Sequence, residues 1–121
     1  DRVLYASSHH DKDILKKQKD ELDFRASGKT RRYAWDYEPE MDIFSAKDNG
    51  TDTKQLTKAL GYDAEGSYSA DGKYIAFASN RHIYAKKNLT DAEKKQLELD
   101  PSFFIEIYIM NADGSNVKRL T

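Results

Sequence analysis

An internal repeat constrains this chain more than any other feature of its sequence. The segment Ile105–Thr121 reads IEIYIMNADGSNVKRLT, and Met41–Thr57 reads MDIFSAKDNGTDTKQLT; they align without a gap, 64 residues apart. Each segment predicts a strand, a tight turn and a second strand, because an Asp-Gly or Asn-Gly pair between two β-prone runs favours a hairpin. A repeat of this length indicates architecture before it indicates any chemistry.

A second pair of segments repeats at a different spacing. RVLYASS, from Arg2 to Ser8, parallels YIAFASN, from Tyr74 to Asn80, 72 residues later. The difference in spacing falls in two inserts, residues 9–40 and 81–104. The sequence therefore predicts a complete unit over residues 58–121, with strands A to D, and a partial unit over residues 1–57, with strands B, C and D.

The inserts contain the helical signals of the chain. The charged run from Asp11 to Phe24 predicts a partial helix. Thr90 and Glu93 have the spacing of a capping box, so a short helix is expected over Asp91–Leu99. Trp35 and Tyr37 lie in the first insert, and we expect these aromatic side chains to contact the repeat.

Composition excludes some classes of function. Lys and Arg number 20 against 21 Asp and Glu, and the net charge is -1, so no general attraction to nucleic acid or anionic membranes is expected. No apolar run approaches the roughly 20 residues of a membrane-spanning helix. Without cysteine, the chain has no disulfide and no thiolate chemistry. Because it begins at Asp1, it reads as a processed chain or a piece of a longer one.

The repeated unit determines the fold class that we predict. Four short antiparallel strands in sequence form a meander, and a sheet of that size buries both faces only when other sheets stack against it. Radial stacking of such sheets gives a β-propeller. The prediction is an all-β chain of four-stranded propeller blades, with short helical inserts between strands B and C.

The same segments resemble a known family. GYDAEGSYSADGKYIAFASNR (61–81) and EIYIMNADGSNVKRLT (106–121) are similar to the TolB-type, WD40-like β-propeller repeat. The matching elements include the Asp71-Gly72 turn, the Ile75–Phe77 strand and the final Arg-Leu-Thr. Two positions depart from the family pattern, since Gly66 and Ala70 stand where the family usually has proline. The resemblance implies a fragment of about two blades, which either self-associates or meets the remaining blades elsewhere.

The resemblance also implies a function and a setting. A propeller segment of this type is expected to act as a non-catalytic module that binds a protein partner, or a carbohydrate or peptide ligand, in the bacterial periplasm or outside the cell. The alternative is a regulatory or substrate-gating propeller of a peptidase or amidohydrolase whose catalytic domain lies outside this chain. A third reading places an enzyme site in the propeller channel. No residue is assigned a catalytic role, and we do not predict an enzyme.

Candidate ligand-binding residues follow from the position of strand A, which lines the channel in such propellers. They are Tyr62, Asp63 and Glu65. Asp63 and Glu65 lie two residues apart and share a face if the strand begins this early. Their carboxylates would bind a cation or a basic group of a partner; the alternative is hydrogen bonding to neighbouring loops. Trp35 and Tyr37 are the candidate contacts of the first insert.

Two clusters raise the question of metal binding. Alternate acidic residues would face one side of an extended segment and offer oxygen ligands to Ca²⁺; they are Asp36, Glu38, Glu40 and Asp42. His9, His10 and His82 end equivalent strands of the two units. Solvated loops are the competing interpretation of both clusters. No metal site and no cofactor are predicted, and Ca²⁺ is the one ion that the acidic cluster would suit.

Overall fold

The computed structural model describes residues 1–32 and 37–121, which form two antiparallel sheets and three helices. The elements in chain order are β1 (Arg2–Ser7), α1 (Ile14–Ala26), β2 (Asp42–Lys47), β3 (Lys54–Gln55), β4 (Asp63–Tyr68), β5 (Tyr74–Ser79), α2 (Arg81–Ala85), α3 (Asp91–Leu99), a 3₁₀ turn (Pro101–Phe104), β6 (Glu106–Asn111) and β7 (Lys118–Arg119). None of these helices is long and apolar enough to span a bilayer.

Each sheet follows the order of the sequence. The first sheet is β1-β2-β3 and the second is β4-β5-β6-β7, with antiparallel neighbours throughout. The predicted Asp-Gly turn between β4 and β5 is confirmed: Gly72 has φ +70°, and the Ser69 N–H donates to the Tyr74 carbonyl at 2.9 Å. Because Asp-Gly pairs supply the positive φ that such turns require, this part of the sequence determines its own geometry.

The prediction of an all-β chain and a partial propeller is wrong. The chain is mixed, because three helices accompany the two sheets, and the sheets do not close into a ring in the part of the chain that the structure describes. The longest helix, α1, is held by ion pairs one turn apart, such as Lys16 with Asp20 at 2.5 Å and Glu21 with Arg25 at 2.7 Å. Such pairs support an exposed helix independently of the sheets, and the strand-based prediction gave them too little weight.

The sequence repeat has a counterpart in hydrogen bonding. The Ile43 N–H donates to Thr57 Oγ1 at 2.9 Å, and the Ile107 N–H donates to Thr121 Oγ1 at 2.9 Å. In each unit the threonine hydroxyl after the second strand of the hairpin thus accepts from the first strand. The Leu-Thr ending is therefore a structural signal that closes the hairpin.

The apolar core lies between the two sheets. Its buried members are Ile43, Ile75, Phe77, Tyr108 and Met110, with Leu4, Leu56 and Tyr68 packed partly against them. Burying each large side chain of this kind contributes about 2 kcal/mol. The sheets approach closely at Gly66, where a Cβ atom would lie 2.7 Å from Leu4 Cδ2. Glycine at this position lets β4 lie directly against the first sheet.

Two backbone hydrogen bonds hold the last turn of the connection between the sheets, at Gly61 and at Asp63. The Gly61 N–H donates to the Pro39 carbonyl at 2.9 Å, and the Asp63 N–H donates to the Met41 carbonyl at 3.0 Å. Gly61 has φ +126°, and a Cβ atom there would lie 2.8 Å from Arg81 Cα. The chain therefore enters β4 along a path that is bonded to the residues directly before β2 and closely packed against Arg81, which follows β5.

Candidate functional site

Asp63, the first residue of β4, lies in a closed environment. Its side chain has no exposed surface. The Ser79 hydroxyl donates to Asp63 Oδ1 at 2.5 Å, and the Arg81 guanidinium forms an ion pair with Oδ2. Burial raises the pKa of Asp63, while the bonds from Ser79 and the charge of Arg81 act in the opposite direction. A carboxylate enclosed in this way is satisfied by its protein partners and holds β4, β5 and α2 together.

Arg81 extends this enclosure across the second sheet. Its Cζ atom lies 5.2 Å from the Phe77 ring centroid and 5.6 Å from that of Tyr108. Cation–π contacts of this geometry stabilise a partly desolvated guanidinium. Only 16% of the Arg81 side chain is exposed. The Arg81 guanidinium thus pairs with Asp63 and also contacts the rings of Phe77 and Tyr108.

A second carboxylate, Asp42, lies near Asp63 at the first residue of β2. Its Oδ1 accepts from Thr57 Oγ1 at 3.1 Å, and its Oδ2 accepts from Gln55 Nε2 at 3.0 Å. Partial burial raises the pKa of Asp42, and the negative charge of Asp63 adds to that effect. The two carboxylates and their neutral partners form a polar network where the sheets meet. Its hydrogen bonds join neighbouring elements of the fold.

Glu65 is separated from Asp63 by a β-bulge. The register of β4 against β5 shifts between Ala64 and Ser67, and Glu65 has φ +51°. Regular alternation would have placed Asp63 and Glu65 on one face; the bulge instead leaves Asp63 buried and Glu65 exposed. The expectation of a shared face is therefore wrong, because an extra residue in one strand changes the direction of the side chains that follow.

Tyr62 orients the exposed Glu65 carboxylate. The Tyr62 hydroxyl donates to Glu65 Oε1 at 2.8 Å. Burial, followed by this hydrogen bond and the charge of Glu65, raises the pKa of the Tyr62 phenol. The phenol therefore stays protonated at physiological pH and remains a donor. A hydrogen bond thus joins Tyr62 and Glu65, whereas the Asp63 carboxylate contacts Ser79 and Arg81.

Three tyrosines, Tyr37, Tyr62 and Tyr84, form what we call the tyrosine cluster. The rings of Tyr37 and Tyr62 stack with centroids 5.7 Å apart, and the hydroxyls of Tyr37 and Tyr84 are 2.6 Å apart. Asn80 joins the cluster to the second sheet, since its Nδ2 donates to Tyr37 Oη at 2.7 Å and its Oδ1 accepts from the Tyr62 N–H at 2.9 Å. Tyr37 of the first insert therefore contacts residues of the second unit. Trp35 lies outside the described residues.

The predicted acidic cluster is divided among different partners. Glu38 forms an ion pair of 2.6 Å with Lys17 of α1, whereas Asp42 binds the hydroxyl and amide described above. The Met41 N–H donates to the Glu38 carbonyl at 3.1 Å, so this segment turns and is not extended. Asp36 lies outside the described residues. Within residues 1–32 and 37–121, no three His, Asp or Glu side chains are arranged to hold a metal ion.

The histidines occupy two separate environments. The rings of His9 and His10 lie 4.3 Å apart, and His10 Nδ1 lies 3.1 Å from Gln55 Oε1 in the first sheet. His82 Nδ1 lies 3.3 Å from the Tyr108 hydroxyl in the second sheet. The three side chains therefore have different partners and form no common set of ligands.

Sequence reasoning did not identify Asn80, Arg81 or Tyr84. These residues follow β5 in the short helix α2 or directly before it. The available signal was positional: insert 81–104 begins where a repeated strand ends, and the residues that begin an insert lie beside the edge of the sheet.

Comparisons with known proteins do not extend these observations. The chain matches no protein-family model, and no curated protein or solved structure was found to be similar to it. The TolB-type resemblance, and the cell-envelope setting that it implies, therefore stay predictions.

Proposed function

We propose that this chain is a non-catalytic binding module whose contact surface consists of Glu65 and the tyrosine cluster. The proposed ligand is a basic segment of a partner protein. The observation that carries the proposal is the conformation of Glu65, an exposed carboxylate at φ +51° in a β-bulge.

The backbone of Glu65 is strained. A side chain other than glycine in the left-handed region costs roughly 1 kcal/mol, and Asn and Asp tolerate that region better than Glu does. Within the part of the chain that the structure describes, the other non-glycine residues with positive φ are Asp52 and Asn116. They lie in hairpin connections, where such residues are common. Strained residues of this kind occur preferentially at functional sites, where the surrounding structure holds a side chain in a required position.

The tyrosine cluster supplies an aromatic wall beside this carboxylate. Tyr37 and Tyr84 are half-buried, and Tyr62 links them to Glu65 through its stacked ring and its hydroxyl. Partly buried tyrosines are favoured in protein interfaces, because they offer a rigid apolar ring with a polar tip at low conformational cost.

Charge selects the ligand class. A carboxylate next to aromatic rings suits an ammonium or guanidinium group, which gains a charge-assisted hydrogen bond and ring contacts together. The net charge of the chain is only -1, so its overall field does not attract cations strongly. A preference for basic peptides would therefore have to arise from the local carboxylate and rings. A neutral carbohydrate has no cationic group for this carboxylate, so we propose a peptide ligand.

The test is a binding assay on the full chain with peptides of matched length. Fluorescein-labelled 12-residue peptides with alternating Lys-Gly, Arg-Gly, Ser-Gly and Glu-Gly sequences are titrated with the protein and followed by anisotropy. We expect the two basic peptides to bind more tightly than the other two. Glu65→Gln should weaken that binding about tenfold, the loss of one charge-assisted hydrogen bond.

Glu98→Gln is the matched control, because Glu98 is an exposed glutamate of α3 and the change in net charge is the same. Equal weakening by both substitutions would show a general charge effect and would reject the site. Tyr84→Phe removes only a hydroxyl and tests the cluster separately; the proposal requires it to weaken binding of the basic peptides.

A further inference from the structure

The first strand of the first sheet has a free edge. β1 pairs with β2 alone in the described part of the chain, whereas β5, its counterpart in the repeat, pairs with β4 on one side and β6 on the other. The pairing registers also correspond, since Ser7 lies opposite Asp42 and Ser79 lies opposite Glu106. The first sheet thus lacks the strand that β4 supplies to the second.

The edge carries little protection against another strand. Natural edge strands commonly contain proline, inward-pointing lysine or a bulge, which prevent pairing with other chains. β1 reads RVLYAS, contains neither proline nor lysine, and pairs with β2 in regular register. Val3 and Tyr5 are exposed on it, at 48% and 37%. An unprotected edge of six residues is long enough to accept an extended segment.

The end of this edge reproduces the carboxylate-binding geometry of the second sheet. The Arg81 N–H donates to Ser79 Oγ at 3.1 Å, and Arg81 Nε donates to the same oxygen at 3.2 Å. In the first sheet, the His9 N–H donates to Ser7 Oγ at 3.3 Å, and His9 Nδ1 lies 2.8 Å from that oxygen. Ser7 and His9 precede Ser79 and Arg81 by the same 72 residues that separate the two repeated strands.

The ring contacts correspond as well. His9 lies over Phe44, with centroids 4.5 Å apart, as Arg81 lies over Tyr108. In the second sheet this arrangement is completed by the carboxylate of Asp63, which β4 brings to Ser79 and Arg81. Within the described residues of the first sheet, no strand pairs with the other edge of β1, and Ser7 and His9 bond to each other.

We propose that the free edge of β1 binds an extended segment of a partner protein that carries an Asp or Glu at its first position. The segment adds to the sheet as an antiparallel strand, through backbone hydrogen bonds. Its carboxylate accepts hydrogen bonds from Ser7 Oγ and from the imidazole of His9, as the carboxylate of Asp63 does from Ser79 and Arg81. This site is separate from Glu65 and takes a ligand of opposite charge.

The probe is a synthetic peptide that copies β4 with its preceding residues, LGYDAEGSY, residues 60–68. A fluorescein-labelled form is titrated with the full chain, and a second peptide carries Asn at the position of Asp63. We expect the first peptide to bind about tenfold more tightly than the second, which is the effect of one charge-assisted pair. Hydrogen exchange should show protection of the β1 amides when the first peptide is bound.

Variants of the protein locate the site. His9→Arg recreates the pair found in the second sheet and should tighten binding, whereas Ser7→Ala should weaken it. Glu98→Gln, an exposed substitution in α3, should leave it unchanged. Because this peptide binds through its carboxylate, failure here is distinguishable from failure of the basic-peptide site. Equal affinity for the Asp and Asn peptides, or no response to His9→Arg, would overturn the proposal. So would a stable dimer of the chain in which β1 amides are already protected and which the peptide does not dissociate.

Discussion

Gly114 lies against the backbone of Leu56, so closely that a Cβ atom at Gly114 would be 2.6 Å from the Leu56 carbonyl oxygen. Gly114 belongs to the turn between β6 and β7, and Leu56 follows β3 in the other sheet. A hairpin turn of one repeat unit therefore packs directly on the end of the other unit. Glycine is required at this position for two reasons, the positive φ of +87° and the close approach of the Leu56 backbone.

We predict that Gly114→Ala destabilises the chain more than Gly50→Ala. Gly50 is the repeat counterpart of Gly114 and has φ +81°, but no atom lies within 4 Å of a Cβ placed there. Both substitutions incur about 1 kcal/mol from the left-handed backbone. Only Gly114→Ala adds a collision with backbone, worth about 1–3 kcal/mol more. Urea unfolding followed by circular dichroism measures both, and equal losses would contradict the packing of this turn.

Removing the Asp63 carboxylate should be strongly destabilising. Asp63→Ala leaves the largely buried Arg81 without its charged partner, and breaking a buried ion pair costs about 3–5 kcal/mol. A double-mutant cycle with Asp63→Asn and Arg81→Gln separates pairing from packing. We expect the double variant to lose clearly less stability than the sum of the two single losses, as for any residues in direct contact. Additive losses would show that the pair does not stabilise the fold.

Asp42 should make stability depend on pH in the mildly acidic range. Since burial raises the pKa of Asp42 in the folded chain above its ordinary 3.8, the folded state holds this proton more tightly than the unfolded state does. The Asp42 contribution therefore falls as pH rises from 3.8 through the folded pKa, and it stays low above it.

Asp42→Asn removes that titration and keeps an oxygen for Thr57. The free energy of unfolding of the variant, minus that of the wild type, should rise between pH 3.8 and pH 7. Urea titrations at several pH values measure the difference. A difference that falls with pH would mean that the folded chain prefers the charged form of Asp42.

Glu65→Gly should separate stability from binding. Glycine adopts φ +51° without the steric cost of a side chain, so we expect a gain of roughly 0.5–1 kcal/mol, although the hydrogen bond from Tyr62 is lost. The same variant should lose its preference for basic peptides. Ser67→Gly, in the same strand but without positive φ, is the control and should destabilise the chain. A loss of stability in Glu65→Gly would argue against strain at this position.

The sequence predicted features that depend on neighbouring residues. The capping box is confirmed, since the Glu93 N–H donates to Thr90 Oγ1 at 3.2 Å and the Thr90 N–H donates to a Glu93 carboxylate oxygen at 2.8 Å. α3 spans Asp91–Leu99, as expected. The helix in the first insert was placed over Asp11–Phe24 and spans Ile14–Ala26. Turns and caps are readable because a few adjacent side chains determine them.

Features that depend on distant contacts were not readable. Asp63 and Arg81 belong to different elements, and only the folded sheet brings them together, so the burial of Asp63 had no local signal. The bulge at Glu65 arises from a change in register between two strands, and the sequence GYDAEGSY contains no residue that requires it. The propeller prediction failed because the repeat describes the strands within a unit. It determines neither how the units are arranged nor how much of the chain the helical inserts occupy.

The bonded connection between the sheets has a mechanical consequence. Hinge motions need a few residues whose backbone can rotate freely. The last turn before β4 is bonded through Gly61 and Asp63 to the residues directly before β2, and it is packed against Arg81. The two sheets are therefore expected to move as one rigid body. A ligand held by Glu65 would then meet a surface that is already formed, and its binding would require little reorganisation of the protein.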